Sequence, residues 1–559
     1  MTVRLRQILG VMAAMALAAY AWVPALAEIG GHNSFLQADM VVSLGLGLAF
    51  ALLCSFFLPN SAVQAAERVW RQCLEKHGFV FPALLLLLLT ALIWINRHIL
   101  HQFMNSADEH SCYFFAELIR MGKWWVAPHE LAEFFNVVHV GNRDGKWFSV
   151  YPPGWPLLWA AGLQFKIADW INPLLAVFSL PLIYGAARRL FGAAAALGGI
   201  LLVVFTPFFL FTGASYFSHA ACLFTMAVFI YSFVRWQEST RDGSRLRWAS
   251  LAAAACGYGL MTRYLTMAAF AAPFLVWHYL PLFLRKRPWR ASDIAPAVIL
   301  ALFMAAILYQ NDAVTGKPFK APNKYDKSWE RLGFKGDYSV AEGLLYMVFR
   351  FFYLMDYSAP LLVALFIAGI CGRPPQEPGL KRVFRYSFFY GSFVYFLYFS
   401  WGGNQYGPRY WWESFPFLGI ALADQIGRWW RRGGRVLQKF LIGAVLVTIP
   451  ANAASFYKQG TALEKATRER KALYTFAEQT LQNPSIVFIH GFLGDSLVLA
   501  EDDAVRNSPR LDGHILYAHD LGVRNPELMK AFPGRDYYRG FYDRKLKQAV
   551  LENIGGSAV

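Results

Sequence analysis

The sequence has few charged residues. Asp, Glu, Lys and Arg make up 16% of the 559 residues, whereas soluble domains carry about 25%. Hydrophobic residues make up 56% of the chain, against about 45 to 50% in soluble proteins. These two departures exclude a string of ordinary soluble domains and indicate an integral membrane protein.

The sequence also lacks clustered cysteines, a serine nucleophile motif and internal repeats. None of the six cysteines lies in a CxxC pair or at zinc-ligand spacing, so we interpret them as small apolar residues. The stretch 490–496 begins with His-Gly, as in some lipases, but no GxSxG sequence accompanies it, which argues against a hydrolase. Acidic residues are outnumbered, 36 against 53 basic ones, giving a net charge of +17.

Long apolar runs predict the membrane-spanning helices. A spanning helix needs about 20 mostly apolar residues, and the chain contains about thirteen such segments. They lie near 8–27, 40–58, 79–96, 170–188, 192–211, 214–234, 248–262, 265–283, 291–309, 357–371, 386–400, 413–428 and 436–453.

The positions of the basic residues predict the orientation. With the N-terminus in the cytoplasm, most Lys and Arg fall in alternate connections, such as 285–290 and 428–439, as cytoplasmic loops require. The basic balance therefore reflects the anionic inner leaflet. Nucleic acid is not an expected partner, because the basic residues are scattered over short loops. Arg263 and Arg409 are exceptions on short outer connections, which makes them functional candidates.

This topology predicts an α-helical multi-pass membrane protein with four regions. Residues 1–96 hold the N-terminal helices, and 1–27 fit either a signal anchor or a cleaved signal peptide. Residues 97–169 form a first outer loop, and 170–455 form a transmembrane core with a second outer loop at 310–356. Residues 456–559 contain short apolar runs between helical stretches, which predicts a small α/β domain outside the membrane.

The first outer loop contains the most informative pattern. Apolar residues recur at helical spacing up to Arg120 and predict an amphipathic helix at the membrane interface, with 123–125 as its aromatic anchor. Asp108 and Glu109 lie at its start, where carboxylates are either capping groups or catalytic groups. Further on, 151–154 reads Tyr-Pro-Pro-Gly, which is either a stop before the next span or a rigid wall of a site.

Together these residues resemble the GT-C superfamily of polyprenyl-phosphate-sugar-dependent glycosyltransferases, especially its protein mannosyltransferase and aminoarabinose transferase branch. The resemblance extends over most of residues 100–430. The matching pieces are Asp108-Glu109 with Tyr113 and the run 116–125, Tyr151-Pro152-Pro153-Gly154, Asn172-Pro173-Leu174, the run 187–192, Ser218-His219, the run 260–263, the loop 311–322 and Gly407-Pro408-Arg409-Tyr410.

The resemblance implies an inverting sugar transfer at the outer face of a bacterial inner membrane. The donor would be a polyprenyl-phosphate sugar, and the acceptor a hydroxyl of a lipid, a glycan or a protein. The resemblance places the general base at Asp108, with Glu109 beside it. A carboxylate suits this role because it can take the proton of an attacking hydroxyl.

The remaining candidates would bind the substrate or its phosphate, whose developing charge fixed cations stabilise. They are Arg409, Tyr410, Arg263, Lys146, Tyr151, His219 and Lys317. The arginines also fit snorkelling to the interface, and the histidine fits a satisfied position in the bundle. Two features depart from the family pattern: Tyr151 replaces a lysine of the aminoarabinose branch, and three hydrophobic segments, instead of one, precede the acidic loop.

Other functions compete with transfer. A transporter or flippase of lipid-linked sugars would also need many helices, but transporters typically show internal repeats. A scaffold protein of an envelope assembly is a third possibility. No cofactor is predicted; Asp108, Glu109 and His110 are candidate ligands of a divalent metal, although three neighbouring residues rarely bind one ion.

Overall fold

The computed structural model describes residues 38–325, 332–336, 338–370, 377, 379–400, 402, 406–489, 505–543 and 545–555, and it is dominated by helices. The first nine helices, in chain order, are α1 (Ala38–Phe57), α2 (Asn60–Glu75), α3 (His77–His98), α4 (Ala107–Arg120), α5 (Gly154–Gln164), α6 (Ala168–Phe191), α7 (Ala193–Val204), α8 (Pro207–Ala214) and α9 (His219–Glu238). They are followed by α10 (Asp242–Phe283), α11 (Ala291–Thr315), α12 (Val340–Asp356), α13 (Pro360–Ile370), α14 (Gly379–Arg385), α15 (Ser387–Phe396), α16 (Phe415–Arg432), α17 (Arg435–Thr480) and α18 (Asn525–Ala531).

The strands form two sheets. A hairpin in the first loop pairs β1 (Val140–Arg143) with β2 (Lys146–Ser149). The second sheet contains β3 (Ser485–Ile489), β4 (Ile515–His519), β5 (Asp536–Asp543) and β6 (Gln548–Gly555) in the order β4-β3-β5-β6. The β3 strand is parallel to both β4 and β5, whereas β6 is antiparallel to β5. All five residues of β3 are buried, as expected for a central parallel strand covered on both faces.

The multi-pass helical architecture is confirmed, but the number of spans is not. In the described part of the chain, six helices are long and apolar enough to cross a membrane, or eight if two bent pairs are each counted as one span. The pair α1 and α2 bends by 109°, and the pair α7 and α8 bends by 74°. Thr206 caps the start of α8, and Pro207 follows in its first turn. Since proline cannot continue the preceding helix, the chain bends between α7 and α8. The predicted segment 8–27 lies outside the described residues.

The chain turns sharply inside α10. Arg263 has non-helical backbone angles, with φ −146° and ψ 82°. Across this break, Met267 lies 2.7 Å from the position that a Cβ atom would occupy on Gly259. Residues eight apart in a straight helix are about 12 Å apart along its axis, so the two halves of α10 fold back on each other. The bend places Arg263 at its tip.

The helix α17 joins the bundle to the second sheet. Its 46 residues span about 70 Å, more than twice the hydrocarbon thickness of a bilayer. Near its start, Gly443 lies against Ala51 and Cys54 of α1. Near its end, Leu473 and Ala477 are buried in a cluster with β3. We call the end of the bundle that carries this sheet the sheet end.

The first loop and the sheet share one hydrophobic core. Phe114 and Phe135 of the loop are buried in the same cluster as Leu473 of α17 and Val487 of β3. Eight of the 14 residues of α4 are buried, and Trp124 after it packs against Phe115. The helix therefore forms where the sequence predicted it, but it is buried between protein elements, and Trp124 of the predicted aromatic anchor packs against protein.

Close backbone contact joins α7 to α16, the helix that follows Arg409. A Cβ atom on Gly199 would lie 2.4 Å from the Cα atom of Ile420. We expect Gly199→Val to lower the melting temperature of the detergent-purified protein by several degrees, because the helices would have to separate and overpacking costs about 1 to 3 kcal/mol. Gly45→Val is the matched control, since nothing lies within 4 Å of that position in α1. Equal melting temperatures for the two variants would contradict this packing.

Candidate active site

A capping box sets the start of α4. The Ser106 side chain accepts a hydrogen bond from the backbone N–H of Glu109 at 3.2 Å. In return, Glu109 Oε2 accepts from the N–H groups of Ser106 and Asn105, at 3.1 and 2.6 Å. This arrangement satisfies donors that a helix start leaves unpaired. It also fixes the direction of Asp108, the residue between them in the first turn.

Glu109 is buried away from the cavity. Its other oxygen accepts from the backbone N–H of Tyr216 at 2.8 Å, which ties α4 to the loop between α8 and α9. The residue is 1% exposed, and burial raises the pKa of its carboxyl to about 7, against the lowering effect of the backbone donors. The structure therefore gives Glu109 the capping role that the sequence left open, and its side chain positions Asp108.

Asp108 lines a cavity of about 420 Å³ at the sheet end. The cavity lies between the first loop, the bend in α10 and the segment that contains Arg409. Six of the predicted site residues border it: Asp108, Tyr151, His219, Arg263, Arg409 and Tyr410. Part of its wall is apolar, formed by Ala268 of α10 with Met304 and Ile307 of α11.

Tyr151 and Arg409 both contact the Asp108 carboxylate. The Tyr151 hydroxyl donates to Oδ1, and Arg409 Nη1 donates to Oδ2 at 3.1 Å. Burial, followed by the charge of Asp108, raises the pKa of Tyr151 well above its ordinary value, so the phenol keeps the hydrogen that it donates. The tyrosine thus occupies the position of the expected lysine, and it contacts the carboxylate directly.

Arg409 retains unused hydrogen-bonding capacity. Its guanidinium lies over the Phe217 ring, 4.7 Å from the ring centroid, and Nη1 contacts Asp108. The Nε atom is buried and has no hydrogen-bond partner within the described part of the chain. A buried guanidinium N–H without a partner costs free energy, and an anion in the cavity would satisfy it.

Glu413, which sequence reasoning missed, joins two of the candidates. Its Oε1 atom lies 2.9 Å from Nδ1 of His219 and 2.8 Å from Nε of Arg263. Arg263 also lies within 3.4 Å of both Ser218 Oγ and Tyr395 Oη. The sequence did offer one indication of Glu413, because this acid begins the apolar run of a predicted span. Ionisable residues in such runs are usually paired or functional.

A second missed residue supports the aromatic wall. Tyr410 stacks on Tyr395, with the ring centroids 4.4 Å apart. Beneath them lies Arg350, which is fully buried. Its guanidinium donates to the carbonyl oxygens of Tyr395 and Ser400, at 2.9 and 2.6 Å. Its charge was visible in the sequence, but its position in the second outer loop gave no sign of burial.

Two predicted phosphate ligands lie elsewhere. Lys146 Nζ donates to the carbonyl oxygen of Ala313 at 2.8 Å and lies over the Trp125 ring. Lys317 is exposed after the end of α11. Neither lysine borders the cavity. The β1–β2 hairpin carries Lys146 toward α11 instead, so the expectation that these two lysines contact the phosphate does not fit the structure.

The predicted metal ligands do not converge. Asp108 faces Arg409, and Glu109 faces backbone N–H groups. His110 is buried beside Tyr113, and burial lowers its pKa to about 3. Among the described residues, no group of three His, Cys, Asp or Glu side chains has metal-binding geometry. These three residues therefore do not fit a shared divalent ion.

The fold and the cavity define a multi-pass membrane protein with a paired acid and arginine on the wall of a cavity at one end of its bundle. A family model described as dolichyl-phosphate-mannose-protein mannosyltransferase matches residues 162–309. A domain of unknown function matches residues 503–556. No curated protein sequence matches the chain significantly.

The chain also matches solved structures over most of its length. ArnT from Cupriavidus metallidurans in the apo state matches with a TM-score of 0.50 and 15% identity, over 84% of this chain and 94% of that one. The same protein bound to undecaprenyl phosphate matches with a TM-score of 0.48 and 15% identity, over the same shares of both chains. The Archaeoglobus fulgidus oligosaccharyltransferase in complex with zinc and sulfate matches with a TM-score of 0.41 and 12% identity, over 77% of this chain and 62% of that one.

The family match within the helical core and the ArnT-like fold confirm the predicted resemblance to the GT-C superfamily of membrane glycosyltransferases.

Burial of Glu109 predicts a pH-dependent stability. Its pKa of about 7 in the folded chain exceeds the ordinary value of 4.5, so the folded state binds more protons between these values. The stability contributed by this group is therefore complete below about pH 4.5 and falls as pH rises through about 7. We expect the melting temperature of the wild type, relative to that of Glu109→Gln, to fall across this range.

The control for this prediction is Glu117→Gln, which removes a carboxylate of the same helix that pairs with Arg120. Its melting temperature should track that of the wild type across the same pH range. A difference between wild type and Glu109→Gln that does not vary with pH would contradict the raised pKa.

Proposed function

We propose that the protein is a glycosyltransferase that moves a sugar from a polyprenyl-phosphate donor to an acceptor hydroxyl, with inversion at the anomeric carbon. The observation that carries this proposal is the contact between Asp108 and Arg409 on the cavity wall. It places a carboxylate that can accept a proton beside a cation that can bind a phosphate. The family description for residues 162–309 names a polyprenyl-phosphate sugar, which supports the donor class.

Asp108 is the general base in this mechanism. The acceptor oxygen attacks the anomeric carbon and loses its proton to the Asp108 carboxylate. The bond from the anomeric carbon to the phosphate oxygen breaks, and its electrons leave with the phosphate. Tyr151 orients the carboxylate through its hydroxyl. Attack from the side opposite to the phosphate inverts the configuration.

Arg409 binds the leaving phosphate. Its Nε atom, which has no partner among the described residues, supplies a donor for the developing negative charge. Arg263 has a lesser part in this step, because Glu413 already offsets its charge. Tyr410 completes the wall beside both arginines. No step passes through a metal ion, since the candidate ligands do not fit one.

The apolar part of the cavity wall supports a lipid-linked donor. Tyr264 and Met304 border the cavity and are 44% and 43% exposed on the outside of the helices. A polyprenyl chain lying between α10 and α11 would cover this apolar surface, which would otherwise face lipid, while its phosphate reaches Arg409. The carrier would enter sideways from the membrane.

The proposed topology places the sheet end outside a bacterial inner membrane, with the N-terminus in the cytoplasm. Residues 97–169 supply the base, 170–455 form the transferase core, and 456–559 form the outer domain. Arg470 of α17 donates to the carbonyl oxygen of Asn105 at 2.8 Å, so the outer domain supports the start of α4. The acceptor is a hydroxyl of a lipid, a glycan or a protein.

Asp108→Asn tests the base. We expect transfer of radiolabelled sugar to membrane acceptors to fall at least about 100-fold, because loss of a general base typically costs a factor of 10² to 10⁴. Asp169→Asn is the matched control, since this carboxylate contacts Tyr216 and Gln102 outside the cavity. Both variants should insert at wild-type levels. Full activity of Asp108→Asn would contradict the mechanism.

Arg409→Lys tests the phosphate contact separately. Lysine keeps the charge but has no planar group that reaches Asp108 and a phosphate together. We expect the Kd for undecaprenyl phosphate, measured on the protein in nanodiscs, to rise about tenfold. Arg428→Lys, at the opposite end of α16 near Asp424, should bind normally. An unchanged Kd for Arg409→Lys would place the phosphate elsewhere.

A further inference from the structure

A buried histidine and a buried glutamate lie behind the two arginines of the cavity. His219 is 1% exposed and Glu413 is fully buried. His219 borders the cavity, and its Nδ1 atom lies 2.9 Å from Glu413 Oε1. The same oxygen lies 2.8 Å from Arg263 Nε. One carboxylate thus holds an imidazole and a guanidinium together.

This contact determines which ring nitrogen of His219 carries the hydrogen. An atom that faces a carboxylate oxygen at hydrogen-bond distance must be the donor, so Nδ1 is protonated. The charges of Glu413 and Arg263 offset each other, which leaves no net negative charge to favour an imidazolium. The imidazole is therefore neutral, and Nε2 presents a lone pair.

Nε2 is the unused atom of this cluster. It is buried and has no hydrogen-bond partner in the described part of the chain. An unpaired buried acceptor is costly, and most such atoms have a partner. Since the ring borders the cavity, a bound molecule is the natural source of that partner.

We infer that His219 Nε2 accepts a hydrogen bond from a hydroxyl group of the donor sugar. This inference rests on the proposed function. A phosphate oxygen cannot be the partner, because it is itself an acceptor and would meet the lone pair of Nε2. The Phe217 ring lies both under Arg409 and against His219. A phosphate on Arg409 would therefore bring the sugar attached to it toward the imidazole.

Glu413 is the positioning residue of this contact. It touches no substrate in this arrangement but fixes the hydrogen on Nδ1, and it offsets the charge of Arg263. Glu413→Gln can place an amide N–H against Nδ1 and so move the ring hydrogen to Nε2. The acceptor would then become a donor, with little change in volume.

The test compares two ligands that differ only in the sugar. The full-length protein in nanodiscs is titrated with undecaprenyl phosphate, and then with undecaprenyl phosphate carrying mannose, glucose or 4-amino-4-deoxyarabinose. The quantity measured is the Kd of the bare carrier divided by that of the tightest sugar-bearing carrier. We expect a ratio of about ten for the wild type, the gain of one good buried hydrogen bond.

The variants separate the contact with the sugar from the contact with the phosphate. His219→Phe should bring the ratio to about one, while the Kd of the bare carrier stays within about twofold of wild type. Glu413→Gln should also lower the ratio, but it removes the charge that offsets Arg263, so its Kd for the bare carrier should change as well. His219→Gln should keep part of the ratio, because its amide oxygen can accept. Arg409→Gln should weaken both ligands equally, and His98→Phe, an exposed histidine outside the cavity, should match wild type.

Each other result overturns the inference. If His219→Phe weakens the bare carrier as much as the sugar-bearing one, His219 contacts the phosphate. If the wild type binds both ligands equally, or if His219→Phe keeps the full ratio, this histidine does not bind the donor sugar. If the wild type binds neither ligand, the proposed function fails and the inference fails with it. Melting curves of His219→Gln distinguish a lost contact from a lost fold.

Discussion

The need to pair every buried charge governs the sheet end of this protein. Isolated charges in an apolar interior are prohibitively costly, so they persist only with partners. Asp108 meets Arg409 across 301 residues of sequence, and Glu413 meets Arg263 and His219. Glu109 is satisfied by backbone N–H groups. These pairings bring the first loop, the bend in α10 and the start of α16 to one cavity. Among the described residues, they leave Arg409 Nε and His219 Nε2 without partners there.

The sheet contributes to the same cavity although none of its residues borders it. The first loop shares a hydrophobic core with α17 and β3. Arg470 and Arg506 donate to the carbonyl oxygens of Asn105 and Met104, just before α4. Because α4 begins with a capping box at this point, the position of Asp108 depends on the C-terminal part of the chain.

Several elements of the site were accessible from the sequence. The apolar spacing located α4, the family resemblance pointed to Asp108, and Arg409 stood out as a cation on a short outer connection. Other expectations depended on information that local patterns do not carry. The sequence does not specify where a loop side chain points, so Lys146 and Lys317 stayed candidates beside Arg409, although neither borders the cavity. The count of about thirteen spans relied on apolar length, which does not detect bends such as those at Pro59 and Pro207.

Composition and the spacing of apolar residues determined that this is a helical membrane protein, because those properties depend on transfer to lipid and on local periodicity. The order of short motifs indicated the superfamily. Tertiary structure alone decided that Glu109 caps a helix while Asp108 faces the cavity, since adjacent helical residues point about 100° apart. It also decided the partners of Glu413 and Arg350, because contacts between distant segments depend on packing that no local pattern encodes.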